Sequence, residues 1–256
     1  MELFDTHVHL DAEAYAADLP AVLDRARAVG VTRFVTIGAG YGTQSMEHAV
    51  RIAEQHPDVW CSIGLHPHDA SEPLDLPRMR DLAQHPKVVA IGETGLDYFK
   101  NFAARADQIS RFRSQVELAC EVKKPLIIHS RDAGEDCLSI LDSMGAECVG
   151  GVFHCFAENA NFAERLVPLR FLVSIPGNVT FKKNEAFRDT VRAIPLAQIM
   201  LETDGPFLAP EPLRGKRCES AFMVHTASTV AAIKGVSVEQ LAQVTTHTAL
   251  TFFNIS

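Results

Sequence analysis

Short runs of apolar and β-branched residues recur along the chain. Each is followed by a stretch in which apolar positions fall three and four apart. The runs are LFD (3–5), RFVTIG (33–38), WCSIG (60–64), VVAIG (88–92), LIIH (126–129), GVFH (151–154), FLVSI (171–175) and IMLET (199–203). Their near-continuous apolar character, without alternation, suits parallel strands covered on both faces. Between them, Leu19, Val22, Leu23, Ala26 and Val29 form a helical stripe closed by Gly30. Ile109, Phe112, Val116 and Ala119 form another, which ends before Pro125. Eight strand–helix alternations predict an α/β chain of the (β/α)8 type, a TIM-type barrel. A doubly wound sheet shares the same alternation. No low-complexity tract or Ser/Gly-rich linker interrupts the 256 residues, so residues 1–256 are expected to form a single barrel domain.

A parallel barrel gathers its chemistry at the C-terminal ends of its strands. Walking those ends meets His7 and His9 after the first run, Glu93 after the fourth and His129 at the end of the fifth. His154 ends the sixth, and Asp204 follows the eighth. In FDTHVHLD the two histidines stand at i and i+2, which share one face of a strand. An H-x-H pair alone is weak, because a chain with 11 histidines offers a second one, His66 and His68 in GLHPHD. The coincidence of so many ligand types with strand ends weighs more. Four imidazoles and two carboxylates are a donor set for two divalent ions, with zinc, manganese and magnesium as the candidates. Glu93 is the expected bridging carboxylate. Asp204 is the expected base, able both to touch a metal and to accept the proton of an attacking water. Two ions about 3.5–4 Å apart clamp the attacking and leaving oxygens of a hydrolysis.

Charge narrows the substrate. A formal net charge of −8 argues against coating duplex nucleic acid by bulk electrostatics, so any phosphate must be held locally. Arg131, two residues after His129, is one candidate, against a plain salt bridge with Asp132 or Asp136. Arg214, Lys216 and Arg217 form the densest cationic cluster, against a solvated loop. His66, after the third strand, is expected to reach substrate or orient a ligand, whereas His68, Lys182 and Lys183 read as structural or surface residues. No helix-turn-helix, zinc finger or aromatic stacking platform is in view, and no Ser/Cys–His nucleophile arrangement stands out. No apolar run reaches membrane-spanning length, and Glu2, Asp5 and His7 argue against a signal peptide. Six cysteines without a C-x-x-C pair suggest reduced thiols and a cytoplasmic setting.

The stretches FDTHVHLD (4–11), GLHPHD (64–69), GETGLDY (92–98), PLIIHSRDA (125–133), FHCF (153–156) and LETDGPFLAPEPLRGK (201–216) together resemble the TatD family of metal-dependent deoxyribonucleases, within the amidohydrolase-type barrels. The resemblance implies a (β/α)8 fold and hydrolysis of phosphodiester bonds in DNA with divalent metals. By position it implies His7, His9, Glu93, His129, His154 and Asp204 as the metal ligands. The chain departs from the family pattern at Cys218 and Ser220 in RGKRCES, at Thr248, and in AEN after FHCF. These positions concern the substrate-side loops and the last helix. The expected activity is cutting of DNA, single-stranded or from ends, with no membrane and no protein partner implied. Hydrolysis of a small amide, lactone or phosphoester on the same barrel is the alternative, followed by a non-catalytic nucleic-acid-binding protein.

Overall fold

The computed structural model describes residues 1–42, 44–100 and 102–256. Its strands are β1 (Leu3–Val8), β2 (Val31–Gly38), β3 (Val59–Ile63), β4 (Val88–Asp97), β5 (Leu126–Arg131), β6 (Gly151–Phe153), β7 (Phe171–Ile175) and β8 (Ile199–Leu201). The helices that follow them are α1 (Leu19–Ala28), α2 (Ser45–Gln55), α3 (Leu76–Leu82), α4 (Arg105–Val122), α5 (Gly134–Ser143), α6 (Ala160–Leu166), α7 (Glu185–Ala193), α8 (Met223–Lys234) and α9 (Val238–Phe253). The eight strands form one sheet in sequence order, β1 to β8. This is the (β/α)8 barrel that the alternation predicts. All eight expected strands are present, but β1 runs on through His7 to Val8 and β4 through Glu93 to Asp97. Apolar pattern stops where buried polar residues begin, whereas backbone pairing does not.

The chain clusters into two compact units. The first comprises Met1–Thr36, Cys155–Glu164 and Val173–Ser256. Here β1 pairs in parallel with β2, Leu3 opposite Val31 and Asp5 opposite Phe34. On its other side β1 meets β8, where the Thr6 hydroxyl donates to the Leu201 carbonyl at 2.9 Å. A further parallel bridge joins Val8 to Gly205. Helix α1 buries Val22, Leu23 and Ala26 of the expected stripe. Gly30 follows its cap at φ 93°, and a Cβ there would meet the Met1 carbonyl oxygen at 2.7 Å. Helix α9 opens on Ser237, whose hydroxyl accepts the Gln240 N–H at 3.1 Å. It buries Leu241, Ala249 and Phe253, with the Phe253 ring 6.0 Å from that of Phe4.

The second unit comprises Ile37–His154 and Arg165–Leu172. Strands β3, β4, β5 and β6 pair in parallel, with Gly95 opposite His129 and Asp97 opposite Arg131. This close register requires glycine: a Cβ on Gly95, at φ 139°, would stand 2.1 Å from the His129 carbonyl oxygen. Helix α4 packs on β4 and buries Phe112, Val116 and Ala119 as expected, together with the polar Gln108 and Gln115. Among the described residues, no single helix is long and apolar enough to cross a membrane.

Candidate metal centre

In the first unit, backbone pairing past the end of β1 draws two distant motifs together. The Asp204 N–H donates to the His7 carbonyl at 2.9 Å, and the His9 N–H donates to the Gly205 carbonyl at 2.8 Å. His7 and His9 therefore project toward Asp204, with Nε2 to Oδ1 distances of 3.7 and 3.6 Å and ring centroids 5.2 Å apart. Asp204 adopts φ 53°. That left-handed conformation costs a non-glycine residue roughly 1–2 kcal/mol, offset here by the bond to His7. Beneath the triad, the Asp5 carboxylate accepts the Thr203 N–H at 2.9 Å and its hydroxyl at 2.6 Å. Burial pushes the Asp5 carboxyl up to about 7 even against these two bonds.

In the second unit, Glu93 is the focus. Its Oε1 lies 2.7 Å from His129 Nδ1, 2.8 Å from His154 Nε2 and 3.2 Å from His66 Nε2. Burial opposes ionisation of Glu93, yet His154, His66 and His129 hold its carboxyl well below the usual range. Burial pulls His66 down to about 4, so its ring is neutral at pH 7. Behind His129 stands Asp97, whose Oδ2 lies 3.1 Å from His129 Nε2 and 2.7 Å from His68 Nε2. With Nε2–H given to Asp97, the Nδ1 of a neutral His129 is a lone pair facing the Glu93 carboxylate. Two facing lone pairs at this distance require a cation between them, either a proton or a metal ion. The carboxylate–imidazole relay behind a ligand histidine is the arrangement that fixes tautomer in metal sites.

His7–His9–Asp204 and Glu93–His129–His154 each present one ligand atom per residue within 4.8 Å of one another, as does His66–His68–His129. The mixture of imidazole and carboxylate suits a divalent ion of intermediate softness. The donor chemistry fits a metal.

A family model described as TatD related DNase matches residues 4–254. The chain belongs to the TatD family. It is thus a TatD-family metal-dependent hydrolase whose His, Asp and Glu clusters are able to bind metal. Over 256 residues, 99% of this chain and all of the relative, it is 41% identical to the uncharacterized metal-dependent hydrolase YabD of Bacillus subtilis. It is 34% identical, over 99% of its length and all of the relative, to the 3'-5' ssDNA/RNA exonuclease TatD of Pantoea vagans. The crystal structure of YJJV, a TatD homolog from Escherichia coli, superposes with a TM-score of 0.92 at 26% identity. The match covers 99% of this chain and 98% of that one.

The other expected site residues each have their own surroundings. Arg131 lies over the Phe99 ring, its guanidinium carbon 4.0 Å from the centroid, while Asp136 accepts the Tyr98 hydroxyl at 2.7 Å. Arg214 is exposed and stacks over Phe181 at 4.2 Å, and Lys216 is exposed nearby. Arg217 is tied to Asp18 at 2.7 Å and to Glu219 at 2.6 Å. Of the departures from the TatD pattern, Cys218 and Ser220 are buried, and the Cys218 carbonyl accepts the Tyr15 hydroxyl at 2.5 Å. Sequence reasoning passed over Asp97, Gln108 and Gln115. Gln115 clasps the Leu65 backbone at 2.8 and 3.0 Å and donates to Thr94 Oγ1 at 2.7 Å. Gln108 clasps Asp97 in the same way at 2.8 and 3.1 Å. Their signal was available: two glutamines seven apart on the apolar face of a helix.

Proposed function

We propose that the chain is a metal-dependent phosphodiesterase that degrades single-stranded DNA from an end. The observation that carries this reading is the Glu93–His129–His154 cluster with Asp97 behind it. The relative named as an ssDNA/RNA exonuclease supports the substrate class. One divalent ion held by His7, His9 and Asp204, and one held by Glu93, His129 and His154, drawn from zinc, manganese or magnesium, would polarise a phosphoryl oxygen and acidify the attacking water.

The chain's own residues do the rest. Asp204, held in place through its backbone bond to His7, is the carboxylate that accepts the proton of the attacking water. Asp97 holds His129 in one tautomer. Neutral His66 offers a hydrogen bond beside Glu93 without adding charge. The Arg131 guanidinium steadies a non-bridging phosphate oxygen. Arg214 and Lys216 take backbone phosphates, while Arg217 braces their loop through Asp18 and Glu219. The six cysteines form no disulfide, and we assign the activity to the reducing cytoplasm on that account.

The test is metal-stripped protein on end-labelled single-stranded DNA, with manganese, magnesium or zinc added back and Asp204→Asn run alongside. Cleavage should require metal, fall by 100-fold or more in the variant, and give a ladder receding from one end. Bound metal counted after dialysis should exceed one per chain. No cleavage with any metal, combined with turnover of a small lactone or ester, would overturn the nuclease reading.

A further inference from the structure

We infer that Tyr98, Phe99 and Phe102, with Lys100, Arg105 and Arg131, form a stacking subsite for the bases of a single-stranded nucleic acid. This deepens the function proposed above and rests on it. Most phenylalanines are buried, including Phe34, Phe112, Phe153, Phe156 and Phe171, yet Phe99 is 56% exposed and Phe102 is 64% exposed. A single ring left in water is ordinary, but neighbouring exposed rings form a patch of the kind that marks an interaction surface. The backbone at Tyr98, Phe99 and Lys100 is anchored. Asp97 Oδ1 accepts the Phe99 and Lys100 N–H groups at 3.0 and 2.9 Å, and the Tyr98 N–H donates to the Arg131 carbonyl at 2.9 Å.

Cations sit among the rings. The Arg131 guanidinium carbon is 4.0 Å from the Phe99 centroid and that of Arg105 is 3.9 Å from the Tyr98 centroid. Lys100 Nζ is 5.9 Å from both Phe99 and Phe102. The surface also leads to the candidate centre. Phe102 meets the His68 ring edge-on at 4.8 Å, and His68 shares Asp97 with His129. A ligand that satisfies flat apolar rings and three cations at once carries π-faces and regularly spaced negative charge, which describes a nucleotide strand. Every base has a π-face, so binding here tolerates sequence. A duplex hides those faces in its own stack, so single strands are preferred. Periodicity holds no warning of this platform, because Phe99 and Phe102 belong to neither a helical stripe nor an apolar run.

The test uses full-length, metal-free protein and fluorescence anisotropy. The probes are a labelled ten-nucleotide oligo-dT and an abasic strand with the same number of phosphates. The wild type should bind the base-bearing strand at least about tenfold more tightly than the abasic one. Phe99→Ala and Phe102→Ala should each remove about tenfold of that preference, and Phe102→Trp should keep it. Arg131→Gln should weaken both strands together. Equal affinity for the two strands would overturn the inference. So would binding to phosphatidylserine vesicles that the phenylalanine substitutions abolish while oligonucleotide binding persists. Hydrolysis of bis(p-nitrophenyl) phosphate with added manganese separates the two claims, because that diester presents no base. Turnover of it without base preference sinks the subsite alone, whereas no turnover of it or of DNA sinks the nuclease.

Discussion

Asp97 shows how one side chain can govern a site it does not itself form. Its Oδ2 reaches His68 and His129 while its Oδ1 holds the following turn. Asp97→Asn should lower affinity for added manganese or zinc by about 10–100-fold, measured by titration calorimetry, with the circular dichroism spectrum unchanged. The residue lies within GETGLDY, but five positions past the apolar run, where pattern gives it no role. Cys61 illustrates a different single-residue effect. Burial pushes its thiol up to about 12, against about 9 in an unfolded chain. The native state thus holds this proton more tightly. The stability it contributes is full below pH 9 and is lost as pH rises toward 12. Urea midpoints should fall across that window, and less steeply in Cys61→Ala.

At the scale of elements, β4 carries the most information per residue. Its apolar first half announces a strand, and its second half, ETGLD, supplies the focus of the second cluster and the anchor behind it. Gly95 allows β4 to lie against β5 at this register. Gly95→Ala should therefore destabilise the protein by more than about 1 kcal/mol, read from urea unfolding, because both its φ and the His129 carbonyl oppose a side chain. Strand existence was legible throughout, since buried parallel strands are apolar runs. Strand ends were not, because β1 and β4 continue through His7 and Glu93 on backbone pairing that residue type does not reveal. The two glutamines of α4 were legible in principle. Helical periodicity marked their face as buried, and a buried amide must find partners.

For the molecule as a whole, the grouping of ligands was read from strand ends, and the strand order sets β1 beside β8 and β4 beside β5. What the sequence could not show was how cations are spent, since ion pairs join residues remote in the chain. Arg217, expected at phosphate, is bound with Arg25 to Asp18 and Glu219. Hydrogen bonds from Arg217 and Arg25 hold Asp18 down at about 2, and the same pair outweigh burial to lower Glu219. Both carboxyls are depressed, so their contribution is lost as pH falls; that of Asp18 is full above about pH 4 and is lost toward pH 2. Arg217→Met should show a shallower acid limb in thermal melts between those values. The bond from Thr203 to Asp5 spans 198 positions, and His7 and Asp204 are drawn together beside it. At ribosomal speeds of about 5–20 residues per second, roughly 10–40 s separate synthesis of the two sides of that triad. During this interval a growing chain holds two of the three residues of its first cluster, and that ligand set stays incomplete until Asp204 emerges.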